Sequence, residues 1–108
     1  MPKKFRVDIT AATEADAAEI WEYIVQDKPA SATAFVLRLE EQIHMLERFP
    51  ERRPLVPENE VLGTAYRHLL HGNYRTIFKI AGSRVIILRV LHGARLLDTG
   101  MLEGLEKP

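Results

Sequence analysis

Six basic side chains, Arg67, Arg75, Lys79, Arg84, Arg89 and Arg95, fall within residues 61–97. That stretch holds no aspartate or glutamate, and it contains three of the four histidines, His68, His71 and His92. Residues 1–60 show the reverse balance, eight Lys and Arg against twelve acids. The formal net charge is zero, which argues against a protein that coats nucleic acid with its whole surface. The asymmetry instead points to a positive patch on one part of a neutral molecule. Arginine suits anion recognition, because its planar fork engages phosphate or carboxylate through two bonds and keeps its charge. Nucleic-acid phosphates and an acidic protein segment both fit. So does an internal use, in which Arg75 and Arg89 pair with acids of the first half, and the residues alone leave these readings open.

Other chemistries lack their residues. His68 and His71 are three apart on a strand, so their rings point to opposite faces, and no acid follows before Asp98 to complete a metal chelate. No metal and no cofactor are expected. There is no cysteine, which removes thiolate nucleophiles and disulfides and fits a reducing cytoplasm. No Gly-x-Ser-x-Gly or phosphate-binding glycine loop occurs. Ser31 and Ser83 sit at a helix start and a turn, Glu19, Glu22, Glu40 and Glu41 belong to solvated helical faces, and so does His44. The basic start, Met1 to Lys4, is followed by no apolar leader and no run long enough to span a membrane, so the chain reads as soluble and not exported.

The elements that must position the cations follow from periodicity. Phe5–Thr10 alternates as a half-buried strand. Thr13 and Asp16 offer a variant capping box for a helix that carries Ala17, Ile20, Trp21 and Ile24 and stops near Asp27–Lys28. Pro29 opens a second helix, with Ala32, Phe35, Val36, Leu39, Ile43, Leu46 and Phe49 spaced by threes and fours. Pro50, Pro54 and Pro57 hold an extended linker to about Gly63. Then Ala65–His71, Tyr74–Ala81 and Arg84–His92 read as strands, joined at Gly72-Asn73 and Gly82-Ser83 by tight turns. The last of them, with Val85–Leu88 wholly apolar, should be central and covered on both faces. The expected fold is a single α+β domain over residues 1–108: an N-terminal strand, a helical hairpin, then a three-stranded antiparallel meander. The hairpin packs on one face of the sheet, and the first strand joins from outside the meander beside the last. Residues 97–108 form a tail, a short helix or a frayed end. A two-residue turn at Gly72-Asn73 sets Arg75 opposite Leu70 and Lys79 opposite Tyr66, so one face presents Tyr66, His68, Arg75 and Lys79, subject to a slip of one residue.

These features resemble a known family. Trp21, Tyr23-Ile24, Ala34-Phe35, Leu46-Glu-Arg-Phe-Pro50 and Arg53-Pro54 are similar to the helical half of ParE-type toxins. Tyr66-Arg-His-Leu69, Gly72-Asn-Tyr-Arg75, Phe78-Lys-Ile80 and Val85-Ile-Ile-Leu-Arg-Val-Leu-His-Gly-Ala-Arg95 are similar to its sheet half. The resemblance covers about residues 5–97 and implies the RelE/ParE superfamily of bacterial type II toxin–antitoxin systems. RelE-like members are ribosome-dependent endoribonucleases, and ParE-like members poison DNA gyrase. By resemblance Arg75 matches the arginine that assists mRNA cleavage in the nuclease branch, and Arg95 and His92 match its C-terminal basic positions. No tyrosine follows Tyr74, whereas the nuclease branch commonly ends with a catalytic one. The expectation is therefore a gyrase poison with no chemistry of its own. A nuclease, or a toxin-fold module that only binds antitoxin, are the alternatives.

The resemblance also implies a ParD-like antitoxin, with a DNA-binding N-terminal domain and an acidic, aliphatic C-terminal segment that folds on the toxin. The resulting hetero-oligomeric complex binds operator DNA through the antitoxin, with no direct operator contact by the toxin. Trp21 and Phe35 are the expected exposed apolar contacts for antitoxin or target. Arg67, His68, Arg75, Lys79, Arg89 and Arg95 are the expected polar ones.

Overall fold

The computed structural model describes residues 3–103. The N-terminal strand, β1 (Arg6–Ile9), leads into helices α1 (Ala11–Val25) and α2 (Pro29–Met45). A 3-10 turn (Pro50–Arg52) and a short helix, α3 (Asn59–Leu62), precede β2 (Arg67–His71), β3 (Tyr74–Ala81) and β4 (Arg84–His92). A second 3-10 turn, Thr99–Leu102, lies in the tail, of which residues 104–108 fall outside the described residues. The sheet order is β1-β4-β3-β2, with β1 parallel to β4 and the meander antiparallel. This is the expected α+β arrangement, with β4 internal and β1 beside it.

Helix α1 starts one turn earlier than expected. Its N-cap is Thr10, in extended geometry, whose hydroxyl accepts from the Thr13 amide at 3.2 Å. The Thr13 hydroxyl donates to the Ile87 carbonyl at 3.1 Å, and the Thr10 hydroxyl to the Leu88 carbonyl at 3.2 Å. The helix entrance is thereby pinned to β4. Asp16 faces the sheet instead of capping the helix. Pro29 occupies the first turn of α2, where its missing N–H costs nothing. Ala32, Phe35, Leu39 and Leu46 are buried, whereas Phe49, expected in the same stripe, lies beyond the helix in a left-handed conformation and is exposed.

Each face of the sheet has a covered core. Towards the hairpin, Phe5, Leu46, Leu69, Phe78, Val85 and Ile87 form one cluster, and Phe35, Leu39 and Val90 another. The opposite face carries Tyr66, Ile77, Leu88 and Leu91, and it is closed by Val56 from the linker and Leu97 from the tail. Leu62, Met101 and Leu102 pack against the same cluster. The linker is thus a cover and not an extended tether. A β-bulge makes the two faces work: Ile87 pairs with Phe78 and Arg89 with Ile77, which leaves Leu88 as the extra residue. Strict alternation would put Leu88 and Val90 on one face. The bulge sends Leu88 to the linker side and Val90 to the hairpin side.

Candidate functional site

The strand register is the one the Gly72-Asn73 turn dictates: Leu70 pairs with Arg75. The face it defines is nevertheless not an open cationic surface, because the linker and tail lie across it. Arg75 is 4% exposed. Its Nη1 donates to Glu58 Oε1 at 3.1 Å, its Nη2 to Glu58 Oε2, and Nη2 also to the Arg95 carbonyl at 2.8 Å. The Leu97 amide donates to Glu58 Oε2 at 2.9 Å. Glu58 therefore accepts from β3 and from the tail at once. The Arg75 hydrogen bonds hold its carboxyl well below the ordinary range, at about 2, against the opposing effect of burial. The arginine that resembled a nuclease residue is a buried strut for the Arg95–Leu97 segment.

Arg89 and Arg84 of the acid-free stretch also meet acids of the first half. Arg89 donates from Nε and Nη2 to the two oxygens of Asp16, each at 2.7 Å, and from Nη1 to the Met101 carbonyl at 3.1 Å. The Val90 amide adds a third bond to Asp16, at 3.0 Å. The Asp16 hydrogen bond raises the Arg89 pKa. Arg84 meets Asp8 at 2.7 Å, Arg67 donates to the Arg53 carbonyl at 2.7 Å, and Lys79 is half-buried. His68 is half-buried with Nδ1 unpartnered among the described residues; burial, then the nearby Arg75 charge, lowers its pKa. Arg75, Arg84 and Arg89 are thus neutralised by acids of the first half, so that much of the expected positive patch becomes internal pairing. Phe35, expected to be exposed, is 8% exposed. Its ring stacks on His71 at 5.8 Å and meets Tyr74 edge-on at 5.2 Å.

At the far ends of β3 and β4 a different group comes together on the surface. His92 and Arg95 are exposed and line a groove of about 320 Å³ with Tyr23, Ile20 and Tyr74. The Tyr74 and His92 rings meet edge-on at 5.7 Å. The Ala94 amide donates to His92 Nδ1 at 3.1 Å, and the Arg95 amide to the His92 carbonyl at 2.9 Å. These bonds form a tight turn that presents both side chains outward. A Cβ at Gly93 would lie 3.3 Å from the Asn73 carbonyl oxygen, so a side chain there would press that backbone back by a few tenths of an ångström. Trp21 is 40% and Tyr23 76% exposed on α1. Of the residues singled out in the sequence, Trp21, His92 and Arg95 are surface groups, whereas Arg75, Arg89 and Phe35 support them from within.

Sequence reasoning missed Glu58, Asp16 as an ion-pair partner, and Tyr23 and Tyr74 as groove walls. Glu58, between a proline and an asparagine, carries no periodic signal at all.

The family described as ParE toxin of type II toxin-antitoxin system, parDE, matches residues 7–97. Among solved structures, the chain is similar to the chromosomal ParDE TA system from P. aeruginosa, at 23% identity and a TM-score of 0.65. That similarity covers 82% of this chain and 96% of the other. It is also similar to the toxin-antitoxin complex RelBE2 from Mycobacterium tuberculosis, at 26% identity and a TM-score of 0.54, over 86% of this chain and 95% of that one. No curated protein matched the chain.

Proposed function

The chain belongs to the ParE toxin family of type II toxin–antitoxin systems, and from that premise we propose that it acts in the cytoplasm by binding: it poisons DNA gyrase and is neutralised by a cognate antitoxin. One observation carries the choice against chemistry. Arg75, at the position of the nuclease-branch arginine, is buried with both Nη groups spent on Glu58 and the Arg95 carbonyl, which leaves that fork no place for a scissile phosphate. The absence of any tyrosine after Tyr74 points the same way.

The antitoxin's C-terminal segment would lie in the groove beside Tyr23 and Tyr74, with its acids meeting Arg95 at the edge away from Asp16 and Glu19, and the exposed Trp21 of the same helix would be a further contact outside the groove. A segment that orders on binding needs such a groove with aromatic anchors. The complex binds operator DNA through the antitoxin, and tight binding of operator duplex by the isolated toxin would contradict this division.

Supercoiling and cleavage-complex assays with purified toxin test the target. Trapped cleavage complexes are expected, and unchanged gyrase activity at saturating toxin rejects the reading. The similarity to RelBE2 and the outward His92 and Arg95 favour one alternative, a ribosome-dependent endoribonuclease. Toe-printing during in vitro translation decides it: codon-placed cuts that vanish in His92→Ala would establish cleavage and displace gyrase. Growth unaffected by induced expression without antitoxin would leave an antitoxin-binding module alone.

A further inference from the structure

Away from the His92–Arg95 groove, a cleft of about 690 Å³ opens where α2 ends. Lys4, Arg48, Arg52 and Arg53 line it, brought from the segment before β1, the end of α2 and the 3-10 turn, with Glu47 as the one acid in its wall. An isolated bridge between Lys4 and Arg48 holds the first two segments together. The contrast with the rest of the chain is informative. Arg75, Arg84 and Arg89 each meet a carboxylate, whereas Arg48, Arg52 and Arg53 form no ion pair among the described residues. Glu47 is taken by Lys4 at 3.8 Å and His44 at 3.5 Å.

A second, independent observation lies in the same wall. Phe49 is the only non-glycine residue among those described with positive φ (54°), a conformation that presses an L side chain against its own backbone. The strain leaves its ring 39% exposed in the cleft, with the Arg52 guanidinium 4.0 Å from the ring centroid. Strained residues that expose an aromatic ring among unpaired cations mark a binding surface more readily than a packing need.

From this we infer that the cleft is a binding site for single-stranded nucleic acid. Arg48 and Arg53 take successive backbone phosphates, the exposed Lys4 exchanges its long 3.8 Å contact with Glu47 for a third, and the Phe49–Arg52 pair forms a platform on which a base stacks without regard to sequence. An acidic peptide would satisfy the cations but leave the aromatic platform unused. A duplex offers phosphates but no free base face. The site is separate from the groove assigned to the antitoxin, and it goes beyond the gyrase reading, which stands or falls on other assays.

Fluorescence anisotropy with labelled short oligo-dT, a duplex of equal length and a polyglutamate peptide tests it on the whole chain. Oligo-dT is expected to bind best at low salt, with log affinity falling against log salt at a slope of about −2 for three phosphates. Arg48→Ala/Arg52→Ala should weaken it about tenfold or more, and Lys28→Ala, at the opposite end of α2, should not. Phe49→Asn keeps the turn, because asparagine tolerates left-handed geometry, yet should cost affinity for oligo-dT. Overturning results are no saturable oligo-dT binding, wild-type affinity in the folded Arg48→Ala/Arg52→Ala and Phe49→Asn variants, or preference for the duplex or the peptide.

Discussion

At residue scale, Arg75 and Arg95 make opposite predictions although both lie in the acid-free stretch. Removing Arg75 strands the buried Glu58 carboxylate, so Arg75→Ala should cost roughly 3–5 kcal/mol. In a domain of this size the melting temperature then falls by about 10 °C or more, read by circular dichroism. Lysine cannot replace the fork and should rescue little. Arg95 contributes its carbonyl to the clasp but its side chain to solvent. Arg95→Ala should leave stability within about 0.5 kcal/mol while lowering toxicity or antitoxin affinity, measured by growth on induction and by calorimetric titration. The acid response has a definite sign. Glu58 is ordinarily near 4.5 and is held at about 2 when folded, so its contribution is complete above 4.5 and drains away as pH falls through 2. Urea midpoints measured across that window should drop in the wild type, and Glu58→Gln should be less stable at neutral pH with a flatter acid slope.

At the scale of elements, the tail behaves as a structural member. Leu97 is 4% exposed against Leu88, Leu91 and Ile77, so Leu97→Ala should cost roughly 2–5 kcal/mol by chemical denaturation, a core penalty in a terminal segment. Neighbouring Leu96, 72% exposed, should tolerate alanine at almost no cost. Much of the element plan was readable because it is local. Period-two patterns between Gly-Asn and Gly-Ser turns located β3 and β4 at their observed limits and set Leu70 against Arg75. β2 starts at Arg67 and not Ala65, because Asn59 takes both the amide and the carbonyl of Tyr66 at 2.9 Å. What stayed hidden is non-local. No neighbour of Glu58 announces a partner on β3, and the extra residue at Leu88 interrupts a uniformly apolar run without altering its composition. The cationic face failed for that reason: its register was right, but its cover comes from segments whose patterning is irregular.

At the scale of the whole molecule, acids from the first half neutralise cations from the second: Asp8 with Arg84, Asp16 with Arg89, Glu58 with Arg75. The sheet is closed likewise by β1 against β4. Such non-local pairings predict slow folding for the size, in milliseconds to seconds, which stopped-flow refolding checks; a microsecond phase carrying the full amplitude would contradict it. The parallel pairing of β1 with β4 also orders events on the ribosome. β1 is synthesised first, yet the strand it pairs with begins at Arg84, and at about 5–20 residues per second the wait is roughly 4–15 s. Until then Thr13 lacks the Ile87 carbonyl and Asp16 lacks the Val90 amide that fasten α1. A nascent chain cut short before Arg84 therefore cannot fasten α1 to the sheet, and any partner that reads the folded surface must wait until β4 has been made.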